Sequence, residues 1–250
     1  RQLFVSQYIG DLGSVPACDR FRSTIQELCS LYNTTPTIVA HDLHPDYYST
    51  QFAQTLATTD TPPPRLISVQ HHYAHVLSCL ADNQWQPPVL GIAWDGTGYG
   101  LDDTIWGGEF LWLPAGSGFI RAAHLRTFPL PGGEQAIKEP RRCAVGLLYE
   151  CLGEAAFDRL DLALVQSFLP AELLILKTML QRGLNTPRTS SMGRLFDAIA
   201  SLLGLCHRSS FEGQAAMQLQ YAIDGHTTDA TYPYQIEQQP DLPLQFDYVP

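Results

Sequence analysis

Apolar residues recur along this chain with two periods, and each change of period marks a new element. Phe21, Ile25, Leu28 and Tyr32 form one stripe at helical spacing and predict a helix over 19–32. Residues 3–8 read as extended before it. A short β-branched run predicts a strand over 37–40, left by the loop His41-Asp42-Leu43-His44-Pro45. A helix follows from about Asp46, a candidate N-cap, to Ala57. The connector 59–65 contains three consecutive prolines and leads to a buried strand over 66–70 and a helix from His71 to about Leu80. Residues 89–94 predict a third strand that ends in a glycine-rich turn. Strands over 105–113 and 119–127 follow, joined around Ala115-Gly116-Ser117-Gly118. The second half reads as helices over about 136–152, 171–183, 194–206 and 213–223, then an extended stretch over 231–248. Pro140 falls near the start of the first of these, where its missing N–H is tolerated. Strands alternating with helices, followed by an added hairpin, indicate an α/β fold with a mixed sheet flanked by helices.

Composition narrows the class. The 250 residues are 45% hydrophobic and 10% aromatic, which fits a packed globular chain. The net charge of −10, from 25 acidic and 15 basic residues, argues against broad nucleic-acid binding. No apolar run is long enough to span a bilayer, and Arg1-Gln2-Leu3-Phe4-Val5 lacks the layout of a signal peptide. The six cysteines form no Cys-x-x-Cys pair. Cys29 and Cys151 lie on apolar helical stripes, so buried reduced thiols in a cytoplasmic protein are the expected state.

Candidate chemistry concentrates in His71-His72-Tyr73-Ala74-His75 and in Asp95-Gly96-Thr97-Gly98-Tyr99-Gly100. Spacing of i, i+4 on a helix puts the imidazoles of His71 and His75 on one face, about 5–6 Å apart at Cβ. His72, three residues before His75, competes for the same role. Asp95 ends the third strand, so its carboxylate can project from the strand tip towards that face. The glycines of the turn admit positive φ and close backbone approach, and exposed N–H groups in such a turn can cradle phosphate oxygens. The turn is neither a Walker loop nor a Rossmann fingerprint, because no Gly-Lys-Ser/Thr is present and no helix starts at once. A strand-end aspartate beside Gly-Thr-Gly is instead the pattern of the actin/Hsp70/sugar-kinase (ASKHA) superfamily, which holds nucleotide between two lobes. A glycine-rich hairpin without a ligand is the alternative.

Longer stretches make the resemblance specific. They are Ser6 to Leu12; Asp42-Leu43-His44-Pro45 with Tyr48-Ser49-Thr50; Gln70 to His75; Asp95 to Gly100; Ile105 to Phe110; Ser190 to Ala198; and Phe211 to Met217. In this order they resemble the TsaD-like carbamoyltransferase domain of the HypF family, which matures nickel–iron hydrogenases. The resemblance implies that an upstream adenylate-forming domain makes carbamoyl-adenylate from carbamoyl phosphate and ATP. This domain then passes the carbamoyl group to the C-terminal cysteine of a HypE-type partner, on the way to a cyanide ligand.

The same resemblance implies site residues. His71, His75 and Asp95 would bind a divalent metal, iron or zinc, a donor set that suits either ion. Asp95 and His44, which faces the same edge, are the candidate catalytic groups. Gly96, Thr97 and Gly98 would hold the adenylate phosphate. Gly193, Asp197 and Glu212 match positions that related enzymes place against adenosine. As helix-terminus residues, Asp197 and Glu212 would instead stabilise the helix dipole, by about 0.3–1 kcal/mol. Lys138, where the family usually has arginine, would meet phosphate or a substrate carboxylate, with a solvated lysine as the plain alternative. Metal binding by histidine is expected to weaken as pH falls through about 6.5, where free imidazole takes a proton.

Against the family pattern, residues 1–130 read as the first lobe with the metal site. Residues 131–250 read as its helical part and the start of a partial second lobe. The first strand of one lobe would precede Arg1. A Ser-Gly-Gly phosphate turn and a further aspartate ligand would follow Pro250. The segment by itself is therefore expected to bind metal weakly and not to turn over. Two other functions fit parts of the pattern: a TsaD-type transferase that threonylcarbamoylates tRNA, and a non-catalytic docking module.

Overall fold

The computed structural model describes residues 3–159 and 162–249. Contacts divide the chain into two units, Arg1–His71 and His72–Pro250.

The first unit holds helix α1 (Val15–Leu31), strand β1 (Ile38–Asp42), helix α2 (Tyr48–Thr59) and strand β2 (Arg65–Val69). β1 and β2 pair in parallel, with Asp42 opposite Val69, and α2 is the crossover between them. Phe21 of α1 meets Tyr48 and Phe52 of α2 edge-on, at 6.0 and 5.5 Å between ring centroids. Three expectations change here. β1 extends through His41 and Asp42, so Asp42 closes the strand instead of opening a loop. The α2 N-cap is Tyr47, with no side-chain cap, one residue past the expected Asp46, whose N–H is donated to Nδ1 of His44. Residues 3–8 join no strand ladder.

The second unit contains most of α3 (His71–Asp82) and a mixed sheet of seven strands. Its strands are β3 (Val89–Tyr99), β4 (Ile105–Leu113), β5 (Ile120–Leu125), β6 (Phe128–Pro129), β7 (Arg188–Thr189), β8 (Gln235–Glu237) and β9 (Leu244–Asp247). The order is β6-β7-β4-β5-β9-β8, with β3 on β4. Strand β3 alternates: Leu90, Ile92 and Trp94 are exposed while Ala93 is buried. Val76 of α3 packs with Ala93, Trp106, Leu111 and Leu113, which sets α3 against β3 and β4. Gly91 is required there, since a side chain would run into Val76.

Beyond the sheet lie α4 (Glu134–Lys138), α5 (Pro140–Leu152), a 3-10 turn (Gly153–Asp158), α6 (Ala163–Gln166), α7 (Pro170–Arg182), α8 (Met192–Leu202) and α9 (Gln214–Ala222). Their core contains Phe128, Leu130, Cys143, Leu164, Leu176 and Ala198. The helix expected over 136–152 is two helices. Pro140 sits in the first turn of α5, and Glu139 is the joint. That joint is held by its own ion cluster. Glu139 accepts from Gln135 Nε2 at 2.8 Å, Arg141 Nε at 2.9 Å and Arg142 Nε at 3.2 Å. The expected extended stretch 231–248 contributes only β8 and β9.

The largest correction concerns the glycine turn. β3 does not end at Trp94 but continues to Tyr99, and Asp95-Gly96-Thr97 form a bulge between the pairs Trp94–Gly108 and Gly98–Trp106. The reversal comes later, where the Gly100 N–H donates to Thr104 O. An antiparallel partner strand was near enough in sequence to capture the glycines as a bulge, which bends a strand and re-aims a side chain.

Candidate metal and nucleotide site

The boundary between the two units falls in the first turn of α3, so His71 is placed relative to His75 by the helix that carries both. Asp95 begins the β3 bulge. Its Oδ2 lies 3.5 Å from His75 Nε2, and its Oδ1 accepts the Gly96 N–H at 2.6 Å. One ligand atom from each of His71, His75 and Asp95 lies within 4.8 Å of the others, a grouping that suits a divalent cation. Two neutral imidazoles and one carboxylate fit zinc or iron, so the residues present fit the implied group. A cavity of about 370 Å³ adjoins His75 and Asp95, lined also by Val76, Leu80, Trp85 and Trp94.

His72 has a different environment. It is fully buried, 6.3 Å from the Trp106 ring, and its Nε2 is 3.7 Å from Asp95 Oδ2. A side chain at Gly98 would strike its ring. His72 is thus a packing residue beneath the bulge, and that is why position 98 is glycine. Gly96 and Thr97 stay half-buried, whereas Gly98 is buried.

The bulge is held from the other side by the start of α8. Ser191 caps that helix, accepting the Arg194 N–H at 3.1 Å. Its hydroxyl also reaches the carbonyl oxygens of Asp95 at 2.6 Å and Gly96 at 2.9 Å. Gly193 lies in the first helical turn, against Gly96. The N-terminal end of α8, positive by its dipole, therefore meets the bulge directly. Asp197 is buried on α8 with its Oδ2 3.0 Å from Arg194 Nη2. Burial pushes its carboxyl up to about 6, against the opposing pull of Arg194.

Other expected positions have their own local surroundings. Lys138 is exposed at the end of α4, and its backbone oxygen accepts the Ser209 N–H. Glu212 is exposed ahead of α9. In the first unit, His44 stacks on Tyr47 with 4.2 Å between ring centroids.

Residues outside the expected set also shape the site. Asp42 Oδ2 meets His71 Nδ1 at 2.7 Å, while its Oδ1 accepts the His44 N–H at 2.8 Å. Glu109 is wholly buried on β4, bonded to Ser190 Oγ and to Arg121 Nε at 2.6 Å. Arg121 continues to Asp102 at 2.8 Å and lies over the Trp106 ring at 4.1 Å. Burial opposes ionisation of Asp102, but hydrogen bonds from Thr104 and Trp106 outweigh it and hold the carboxyl below its ordinary value. A charged residue inside Trp106-Gly107-Gly108-Glu109-Phe110 was the available signal for Glu109. Asp42 carried none beyond its place near a strand end.

The six cysteines are all unpaired. Cys143 and Cys206 are buried as expected, but Cys79 and Cys151 are exposed. Cys151 lies at the end of α5, where Leu152 is exposed as well. No helix among the described residues is long and apolar enough to cross a membrane.

Two family models match this chain. Residues 1–82 match the HypF Kae1-like domain, and residues 91–249 match the second subdomain of the carbamoyltransferase Kae1-like domain. A carbamoyltransferase HypF of Synechocystis sp. is 45% identical over 93% of this chain and 31% of its own length. A crystal structure of full-length HypF in the phosphate- and nucleotide-bound form superimposes with a TM-score of 0.85 at 38% identity, over 96% of this chain and 30% of that one. The HypF of T. kodakarensis gives a TM-score of 0.82 at 34% identity, over 93% of this chain and 31% of that one. The chain therefore spans about a third of the length of these relatives.

Proposed function

This chain belongs to the HypF carbamoyltransferase family, as a Kae1-like domain segment, and from that premise we propose that it carries the transfer step itself. The donor is carbamoyl-adenylate and the acceptor is the C-terminal cysteine thiol of a HypE-type protein. The acceptor sulfur bonds to the carbamoyl carbon, and the bond from that carbon to the phosphate oxygen breaks. The electron pair leaves with AMP, and the thiol proton passes to a base.

The observation that carries this reading is the grouping of His71, His75 and Asp95 beside a bulged strand that meets a helix N-terminus. The three residues would hold a divalent cation, and such an ion would supply Lewis-acid polarisation of a carbonyl oxygen. Gly96 and Thr97, with the first turn of α8, form the phosphate-facing surface. The helix dipole favours negative charge there. Gly98 acts as a spacer over His72 instead of a phosphate donor. Asp197 acts through its ion pair with Arg194, which holds the first turns of α8, more than by direct contact with ribose. The acidic net charge of −10 supports a protein acceptor over tRNA.

The test is a chimera of the Synechocystis relative in which the matched region is replaced by this chain. Incubation with carbamoyl phosphate, ATP and a HypE-type acceptor should add one carbamoyl group to the acceptor's terminal cysteine, read by mass spectrometry. H75A in the same chimera should abolish the addition. Carbamoylation undiminished in H75A would sink the reading, as would transfer to tRNA in place of the acceptor protein.

A further inference from the structure

The parallel register of β1 and β2 puts Asp42 opposite Val69, two residues before His71. The chain then turns through Gln70 into α3, and the Asp42 carboxylate meets the first ring of that helix. Both of its oxygens are engaged: Oδ1 by the His44 N–H at 2.8 Å and Oδ2 by Nδ1 of His71 at 2.7 Å. The backbone of Asp42 is held as well, its carbonyl accepting from Thr50 Oγ1 at 3.0 Å. The Leu43 N–H continues the strand pairing to Val69 O at 3.0 Å. The carboxylate is thus fixed by groups other than the histidine it touches.

An ionised carboxylate only accepts hydrogen bonds. The nitrogen facing it must therefore carry the proton, which makes His71 the Nδ1–H tautomer with its lone pair on Nε2. We propose that Asp42 is a positioning residue that sets the tautomer and ring orientation of His71, so that Nε2 is presented for metal binding. This rests on the reading of His71, His75 and Asp95 as metal ligands. It assigns Asp42 a role that no property of a strand-end aspartate requires. Partners of this kind contribute about 10–100-fold to metal affinity.

The experiment has two readouts, neither of which is activity. In the metal-free chain, long-range proton–nitrogen NMR of the histidine rings should show His71 as the Nδ1–H tautomer. The D42A variant should lose that preference. In zinc competition titrations, D42A should bind about 10–100-fold more weakly, and D42N, which retains a carbonyl acceptor, should fall between D42A and the parent. The metal-free unfolding midpoint of D42N should stay near that of the parent, separating positioning from folding. H71A and H75A are the controls for the underlying reading. If both controls lose zinc while D42A and D42N bind as the parent does, the positioning role is wrong and the ligand set stands. If the controls bind zinc unchanged, the ligand set is wrong and the proposal goes with it. A parent His71 in the Nε2–H tautomer would overturn the proposal even if D42A failed to fold.

Discussion

A Cβ on Gly193 would stand 2.7 Å from Cα of Gly96, so the first turn of α8 and the bulge of β3 meet backbone to backbone. The two glycines are 97 positions apart in the chain. Their contact is what allows Ser191 to reach the carbonyl oxygens of both Asp95 and Gly96.

G193A should therefore push α8 away from the bulge. The neighbour is backbone and cannot swing aside, so the expected cost is about 1–3 kcal/mol of stability. Urea unfolding measures that cost. Nucleotide binding by the chimera should weaken as well, and a G193A protein with parental stability and affinity would remove the junction from the site.

His72 and His75 should separate under mutation. H72A empties a fully buried position against Trp106 and should lower stability by about 2–4 kcal/mol. H75A removes a ring whose side chain is 58% exposed and should leave the metal-free melting temperature nearly unchanged. Zinc should raise the melting temperature of the parent but not of H75A. The reverse pattern would make His72 the ligand.

Breaking the Glu109–Arg121 pair should be costly. E109A leaves the Arg121 guanidinium, 10% exposed, without its buried partner, and truncations of this kind cost about 3–5 kcal/mol. E109Q keeps an acceptor and should cost less. Equal unfolding midpoints for E109A and the parent would contradict the network.

Acid stability should depend on Glu139. Burial by itself would raise its pKa, but hydrogen bonds from Gln135 and Arg141 and the charges of Arg142 and Arg141 outweigh it and bring the carboxyl from 4.5 to about 2. A depressed carboxylate stabilises the fold above its unfolded value and loses that contribution as pH falls through its folded value. E139Q should thus be less stable than the parent at neutral pH, by roughly 2–3 kcal/mol. The gap should close between about pH 4.5 and pH 2. A gap independent of pH over that range would rule out this account.

Thiol reactivity should follow burial. Cys79 is exposed and should react with a thiol reagent in the native state, whereas Cys143 should not. Burial pushes the Cys143 thiol up to about 12, so almost no thiolate is present near neutral pH. Peptide mapping after short labelling gives the order, and Cys143 should label only once the chain unfolds.

The helices and strands were legible because each buries one periodic face, and that periodicity is written locally. The α1 stripe is a case in point, with Phe21, Ile25 and Leu28 all partly buried. The i, i+4 pair His71 and His75 was legible for the same reason, since a helix alone sets their spacing. Boundaries were less legible. Asp42 reads as loop residue until a parallel partner strand supplies its pairing with Val69. Asp95-Gly96-Thr97 reads as a turn until β4 captures Gly98 and Tyr99 beyond it.

By itself, then, the sequence determined which segments fold and which residue types could bind an ion or a phosphate, because both depend on neighbours a few positions away. Tertiary structure alone decided how those groups are used. It buried His72 and exposed its neighbour three residues on, set Ser191 and Gly193 against the bulge, and brought Asp42 to His71. Each of those outcomes depends on residues 29 to 97 positions apart meeting across a strand register or a helix end. No local pattern encodes such a meeting, since the free energy that selects it comes from packing the whole sheet and its helices.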